Sequence, residues 1–468
     1  MGNGMELRGD YLFPGKLDNT VHDITKDQLC ELHRWYRAEV HENRKVTSST
    51  YAGENYYGKY DFRMAFNREY LYRDQKTDGM QIQYPHGVIL KQSGFRNYYR
   101  GENRIYTKTQ PSLLRKLEKY TDPEDAELYR MVADMRIAEF AALLQEFDHV
   151  RTWNVSDVLY EALAQHYGLE TGWLDITTDF EVALFFATCF WDNDTNSWKP
   201  LTKEQTEVSE ESKYGMLFHM PSWYMKQRWC FEIRKFDDLS KGMTENLIYP
   251  IGFQPFMRCS MQNGYGIYMR KSRPLQNDIG FEKLRFRHSE ELSKCVYDKM
   301  RGGELIYPHE GLKKVDFFIE KIRNLTDFSE EAFQYALQRN HLFRIQDKEL
   351  CRKKLESFCV DGEKIHILPN RSWHIGRNRK REVDDAYRNF TVENQYGIRV
   401  MKRRVCTSEG TSDFKKMYEP YMLTDKNNTQ EPGICDFKPR AMQETNNMWV
   451  ITMMQELQTL MTKNARDF

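Results

Sequence analysis

No stretch of the chain approaches the roughly 20 consecutive apolar residues that a membrane helix needs, so helical spanning segments are excluded. The opening residues, MGNGMELRGD, lack the apolar core of a secretion signal, and Glu6 stands where an acylation signal prefers Ser or Thr. Cysteine is sparse: nine residues, an odd number, scattered with no pair at C-x-x-C spacing. That pattern argues against a disulfide framework and against structural zinc, and for a reduced, cytoplasmic setting with no metal. A P-loop, a G-x-G-x-x-G turn and an H-E-x-x-H helix are also missing. So is any excess of charge: 69 Lys and Arg balance 69 Asp and Glu, so an electrostatic site has to be local.

What remains is material for a large folded core. Hydrophobic residues make up 40% of the 468 residues and aromatics 14%. At this length about two or three domains are expected.

Residues 24–45 carry Leu29, Leu32, Tyr36 and Val40 at helical spacing behind Thr25, a suitable N-cap. A Gly/Tyr-rich stretch, YAGENYYGKYDFRMAF, and mixed strands up to Leu90 follow. Residues 1–84 therefore read as an N-terminal extension or small subdomain. From Asp122 to about Asp148 a strong helix is expected, with Pro123 at N1 and a mostly apolar face of Leu128, Met131, Met135, Ala138, Ala142 and Gln145. A second helix runs over about 156–167 and stops at Gly168. A third is announced by Thr178-Asp179-Phe180-Glu181, read as a capping box, with Phe180, Ala183, Leu184, Ala187 and Trp191 on its buried face. The polar run from Asp192 to Ser212 reads as a surface loop, and short strands are expected from Tyr214 to about Met269. Helix returns at 289–301, 311–323 and 329–357. Residues 364–404 read as irregular and basic, with eleven Lys/Arg against four Asp/Glu. A Met-rich amphipathic helix is expected at 446–464.

Two segments hold the chemistry. In Tyr98–Arg115, YYRGENRIYTKTQPSLLR, Arg100 ends a strand-like run and Gly101 permits a sharp turn or close approach of a ligand. Arg100 is either an anion ligand or one half of a structural ion pair. In Ala162–Phe190, a helix ending at Gln165-His166-Tyr167-Gly168 meets a strand carrying Asp175 and delivering Thr177 and Thr178 to the next helix. Free N–H groups at such a junction favour an anion. The helix-end carbonyls can hold His166 as imidazolium, or His166 is a buried structural histidine.

These pieces resemble the FRG domain, named for its Phe/Tyr-Arg-Gly motif. The resemblance rests on Tyr99-Arg100-Gly101, Gln110-Pro111-Ser112-Leu113-Leu114-Arg115, Ala164-Gln165-His166-Tyr167-Gly168-Leu169, Leu174-Asp175 with Thr177, and Ala183-Leu184-Phe185-Phe186-Ala187. Arg258-x-x-x-Gln262-x-Gly264 with Ile267-Tyr268, and Tyr307-Pro308, extend it over roughly residues 85–320. It departs from the family at Gly172, where relatives carry arginine.

A second similarity, to ADP-ribosyltransferases of the Arg-Ser-Glu type, covers Tyr99-Arg100-Gly101 and the strand Trp173 to Thr178 with its helix. It implies NAD as co-substrate, its pyrophosphate on Arg100, its ribose at Thr177 and Thr178, and Tyr99 or Trp173 stacked on nicotinamide. The usual catalytic glutamate is replaced by Gln262, with Glu232, Glu102 and Asp175 as substitutes.

The expected fold is therefore α+β: a small mixed sheet packed on several helices, possibly ADP-ribosyltransferase-like, over residues 85–325. A mostly helical, partly basic region follows at 326–468. Arg100, His166, Asp175 and Gln262 are the catalytic candidates; Tyr99, Arg100, Gly101, Thr177, Thr178 and Arg258 are the cofactor-binding ones. The implied function is a nucleotide-binding effector, a toxin or phage-defence protein, using NAD as an ADP-ribosyltransferase or NAD glycohydrolase. The alternatives are a non-catalytic module binding a nucleotide, or nucleic acid through 377–381 and 402–404, and a scaffold docking a protein partner through 446–464.

Overall fold

The computed structural model describes residues 11–50 and 97–394 apart from short internal stretches (15–16, 152–157, 226–227, 229–246, 252–253, 257, 272, 309–310 and 341–347), together with isolated strands at 69–71, 79–84, 87–92, 403–405 and 418–420. The strand-like run around Glu232 and the Met-rich segment 446–464 lie outside the described residues.

Seven strands form one mixed sheet: β1 (Val21–Asp23), β2 (Asn97–Glu102), β3 (Trp173–Thr177), β4 (Tyr214–Pro221), β5 (Ile248–Pro250), β6 (Gly264–Tyr268) and β7 (Glu282–Arg287). Their spatial order is β1-β7-β4-β2-β3-β6-β5. Only β1 and β7 pair in parallel; every other neighbour is antiparallel. The α+β class expected from the sequence is the one observed.

Helices cover both faces. On one lie α1 (Lys26–Thr50) and, further along the chain, a helix at Phe180–Thr188; Leu29, Leu32, Tyr36, Phe180 and Ala183 meet Tyr99, Leu217 and Phe286 of the sheet there. On the other lie α2 (Ser112–Leu117), α3 (Pro123–Leu144) and α4 (Tyr160–His166). The helix at Phe180–Thr188 is α5, and α6 (Glu290–Lys299), α7 (Asp316–Arg323), α8 (Glu330–Arg339), α9 (Lys348–Ser357) and α10 (Arg377–Asn394) follow, besides helices of a single turn. Thus the N-terminal residues contribute an edge strand and a covering helix to the main sheet. The helices beyond residue 325 share the core of α3 as well, through Phe333, Leu355 and Val383, and Trp373 joins them from the segment before α10.

Several local expectations change. α3 is capped by Asp122 with Pro123 at its start, as predicted, but it is buried nearly all round rather than along one stripe. Ala142 and Gln145 face solvent. The reason is that α7 and α8 close over the side opposite the sheet. α5 has Asp179, not Thr178, as its N-cap: Asp179 Oδ1 accepts from the N–H groups of Glu181 and Val182, at 2.8 and 3.3 Å. α5 ends at Thr188, so Trp191 belongs to a hairpin of Cys189–Asp192 with Ser197–Pro200 where a helix end and a loop were expected. The basic residues 377–381 form the first turn of α10, a regular helix rather than irregular chain.

Candidate functional site

β2 and β3 are hydrogen-bond neighbours at one register pair only, Tyr99 opposite Thr177. Beyond it the strands part, and the Arg100 side chain takes over from the ladder: its Nη1 donates to the Asp175 carbonyl at 2.6 Å. Its Nε donates to Glu102 Oε1 at 3.1 Å, while Thr109 Oγ1 donates to Glu102 Oε2 at 2.8 Å. Both oxygens of Glu102 are thus occupied. Arg100 does make the structural ion pair, yet its Nη2 takes no partner among the described residues and the side chain stays 22% exposed. A half-buried arginine carrying a vacant donor beside an opening is poised for an anion.

The opening is a cavity of about 540 Å³. Arg100 of β2, Lys108 of the following loop and Arg115 of α2 line it. Burial, and next the Arg100 charge, lower the Arg115 guanidinium below its ordinary value. Two like charges facing one space are relieved by an anion between them. An aromatic wall of Phe186, Trp191, Trp198 and Tyr307, packed ring on ring, also lines it. The Trp191 and Trp198 rings lie 5.6 Å apart edge to face, and Trp198 and Tyr307 lie 5.4 Å apart. The indole N–H of Trp198 is buried without an acceptor among the described residues.

The floor is polar. Gln165-His166-Tyr167-Gly168-Leu169 closes α4 as a Schellman motif: Leu169 N–H bonds Ala164 O at 3.0 Å, Gly168 N–H bonds Gln165 O at 3.1 Å, and Gly168 has φ +81°. This termination fixes Gln165 and His166 on the last turn, facing the cavity. The end carbonyls do not hold His166 as imidazolium, because arginines consume them: Arg258 Nη1 donates to His166 O at 2.6 Å and Arg323 Nη2 to Tyr167 O at 2.7 Å. Burial is the largest influence on the ring and lowers its pKa; the Asp175 charge and a hydrogen bond with Gln262 oppose it, and Arg258 reinforces it. His166 is therefore neutral at neutral pH. Its Nε2 and Asp175 Oδ1 lie 3.7 Å apart, each buried and without a hydrogen-bond partner among the described residues.

Of the residues singled out in the sequence, Tyr99, Arg100, Gly101, His166, Asp175, Thr177 and Gln262 line this cavity, and Thr178 and Arg258 do not. Tyr99 reaches the cavity only at its edge. Its ring is fully buried, stacked on His219 at 5.3 Å and edge-on to Phe180, so it is not free to stack on a ligand. Trp173 lies on Gly266, where an added Cβ would meet its ring at 2.4 Å, and is absent from the cavity. Gly101 makes no turn. The strand continues through Glu102, and the space a side chain would fill is taken by the α5 backbone. Thr177 Oγ1 donates to Gln262 O and accepts from Asp179 N, so its hydroxyl ties the Gln262 turn to the start of α5. The anion site expected at that helix start is filled by Asp179 itself. Gln262 donates from Nε2 to Ile306 O at 3.0 Å. The Arg258 guanidinium is held between the Tyr167 and Tyr307 rings, 4.3 Å from each centroid, supporting the wall from behind. At position 172 a Cβ would come within 2.9 Å of Met269 O and 3.3 Å of the Tyr268 ring, which is why an arginine does not fit there.

Sequence reasoning did not single out Arg115, Lys108, Trp191 and Trp198 as site residues. Arg115 was visible as the end of the Gln110–Arg115 motif; Trp191 was read as the end of a buried helix face, and Trp198 is visible only as an aromatic residue in an otherwise polar run.

The family model of the FRG domain matches residues 96–196. The chain carries an FRG domain. That domain supplies β2, β3, α5, α4 and the first strand of the hairpin, and so most of the cavity wall; Trp198, Gln262 and Tyr307 come from beyond the matched stretch. No curated protein and no solved structure matches the chain. Among the described residues, no group of three or more His, Cys, Asp or Glu is placed to hold a metal, and no helix is long and apolar enough to cross a membrane.

Proposed function

We propose that the FRG-domain cavity binds a nucleotide and that NAD is its co-substrate. The observation that carries this reading is the lining of the one space, which brings together two arginines, an aromatic wall and unpartnered polar atoms. Guanidiniums recognise phosphate oxygens bidentately and aromatic rings take a base by stacking. A volume of about 540 Å³ falls in the range of small-molecule sites. Arg100 and Arg115 would bind the pyrophosphate, and Trp191, Trp198 or Tyr307 a base. The reaction would be ADP-ribosyltransferase- or NAD-glycohydrolase-like, and a protein consuming NAD in this way would act as a toxin or defence effector in the cytoplasm.

Calorimetric titration with NAD, run on wild type and Arg100→Ala, tests the reading. Saturable binding that weakens at least tenfold in the variant supports it. If NAD, ADP-ribose and ATP all give no heat with a folded wild-type protein, the cavity is not a nucleotide site. The basic residues offer no comparable arrangement. Lys380 pairs with Glu146, and Arg377, Arg379 and Arg381 sit on the first turn of α10, outside the lining of the FRG-domain cavity.

A further inference from the structure

Resting on the nucleotide reading, we propose that Asp175 and His166 are a catalytic pair for hydrolysis: Asp175 stabilises the ribosyl cation formed as nicotinamide leaves NAD, and His166 takes the proton of the water that attacks it. The acceptor of the sugar is then water and not a macromolecule.

The cavity presents two carboxylates, and they are not equivalent. Glu102 has one oxygen on Arg100 and the other on Thr109. Asp175 has its Oδ1 buried and unused. A carboxylate oxygen held out of water without a donor is costly, and a developing positive charge relieves that cost in the transition state. The third nucleophile lining the cavity, the Cys189 thiol, is pushed up to about 12 by burial and supplies no thiolate. That leaves Asp175 as the negative charge available to a cation at C1′.

His166 Nε2 stands 3.7 Å from that same oxygen. The gap exceeds a hydrogen bond yet is short enough for one water to touch both groups. Burial keeps the ring neutral, as a general base requires. Only 3% of the His166 side chain is exposed, so only a small acceptor, water or a short alcohol, can stand beside it. A protein side chain or a nucleic-acid base entering past a bound dinucleotide would not reach it.

The step balances as follows. The C1′–N bond of the nicotinamide riboside breaks and its electron pair goes to the nicotinamide ring. The water oxygen forms the new bond to C1′, and its proton passes to His166 Nε2 and then to solvent. NAD and water give ADP-ribose, nicotinamide and one proton; no oxidant, reductant or metal is called for.

The test incubates the purified full chain with NAD and follows nicotinamide and free ADP-ribose by chromatography, with and without methanol, beside calorimetric binding of NAD. Asp175→Asn and His166→Gln keep the shape of their sites. The expected result is equimolar nicotinamide and ADP-ribose from wild type, methyl ADP-ribose when methanol is present, and at least a hundredfold loss of rate in Asp175→Asn with NAD affinity changed by less than about threefold. Wild-type protein that binds NAD without releasing nicotinamide, or that places the label on protein, overturns the inference and leaves the nucleotide reading standing. Undiminished release in both variants overturns it as well. No NAD binding overturns both. If His166→Gln does not fold, Asp175→Asn and the methanol partition decide alone.

Discussion

Gly101 and Ala183 meet backbone to backbone: a Cβ on residue 101 would fall 1.7 Å from the Ala183 carbonyl oxygen, and 3.0 Å from the Ala187 nitrogen. The helix that follows β3 thus rests directly on the strand that carries Arg100. The glycine of the FRG motif sets the distance between them, and through it the width of the cavity. Neither backbone can yield without breaking its own hydrogen bonds, so Gly101→Ala should destabilise by about 3 kcal/mol or more, or prevent folding. Gly376→Ala is the control, since a Cβ there meets nothing within 4 Å, and should stay within about 0.5 kcal/mol. Chemical denaturation of the two variants compares them; equal midpoints would refute the packing role of Gly101.

The start of α5 separates two readings of four residues. Asp179 caps the helix and also accepts from Asn263 Nδ2 at 3.0 Å. Thr178 has a buried hydroxyl with no partner among the described residues. Asp179→Ala should therefore cost about 1–2 kcal/mol. Thr178→Val removes an unpaired hydroxyl at constant shape and should be neutral or slightly stabilising. A loss at Thr178 equal to that at Asp179 would restore the capping box read from the sequence.

That exchange of roles shows where the sequence stops being legible. Signals that act within one helical turn were readable: Asp122-Pro123 opening α3, Thr25 bonding Gln28 N–H at the start of α1, and the Gln165–Leu169 termination of α4. The order of motifs also identified the FRG domain, and with it most of the residues that line the cavity. What depended on partners distant in the chain was not readable. Gly101 looked like a turn because Ala183 lies 82 positions away. Trp191 continued a helical period that ended when Thr188 gave way to the hairpin. Arg258 was named a cofactor-binding candidate because a charge in sequence does not reveal the two tyrosines that enclose it.

Glu181 gives the fold an acid limit. Burial alone would raise its carboxyl, but hydrogen bonds from His33 and Lys299 outweigh that and hold it at about 2, against an ordinary 4.5. A carboxylate lowered in the folded state adds stability above its unfolded value, and that stability is lost as pH falls from 4.5 toward 2. The loss should be about 2 kcal/mol over that window, reduced by solvent screening because Lys299 is half exposed. Glu181→Gln should flatten the denaturation midpoint across the same window. A variant that retains the full acid dependence would place its origin elsewhere.

His166 sets a second pH dependence, in activity. It faces Asp175 and Gln262, with Arg258 bonded to its carbonyl and Tyr307 across the cavity. Burial dominates and its folded value is below 6.5. As a base it should stay competent through pH 6.5, and the acid limb of nicotinamide release should lie lower. Folding stability should fall in the same direction, because below pH 6.5 the unfolded chain takes up a proton that the folded one refuses. An acid limb at or above 7 would exclude a neutral, buried His166 as the group being titrated.

Arg100 and Arg115 should separate binding from stability. Arg100 is committed to Glu102 and to the Asp175 carbonyl, both inside the fold. Its removal leaves a buried carboxylate half satisfied, so Arg100→Ala should lose about 1–3 kcal/mol of stability together with nucleotide affinity. Arg115 is more exposed and gives one hydrogen bond, to Gln110 O at 2.7 Å. Arg115→Ala should stay within about 0.5 kcal/mol of wild type in stability yet weaken NAD about tenfold or more. Because both contacts are charge to charge at a half-open cavity, affinity should fall as ionic strength rises, and less steeply in Arg115→Ala than in wild type. Calorimetry at two salt concentrations reads this directly. If Arg115→Ala binds NAD as wild type does at both, the anion does not lie between the two guanidiniums, and Arg100 alone would have to carry it.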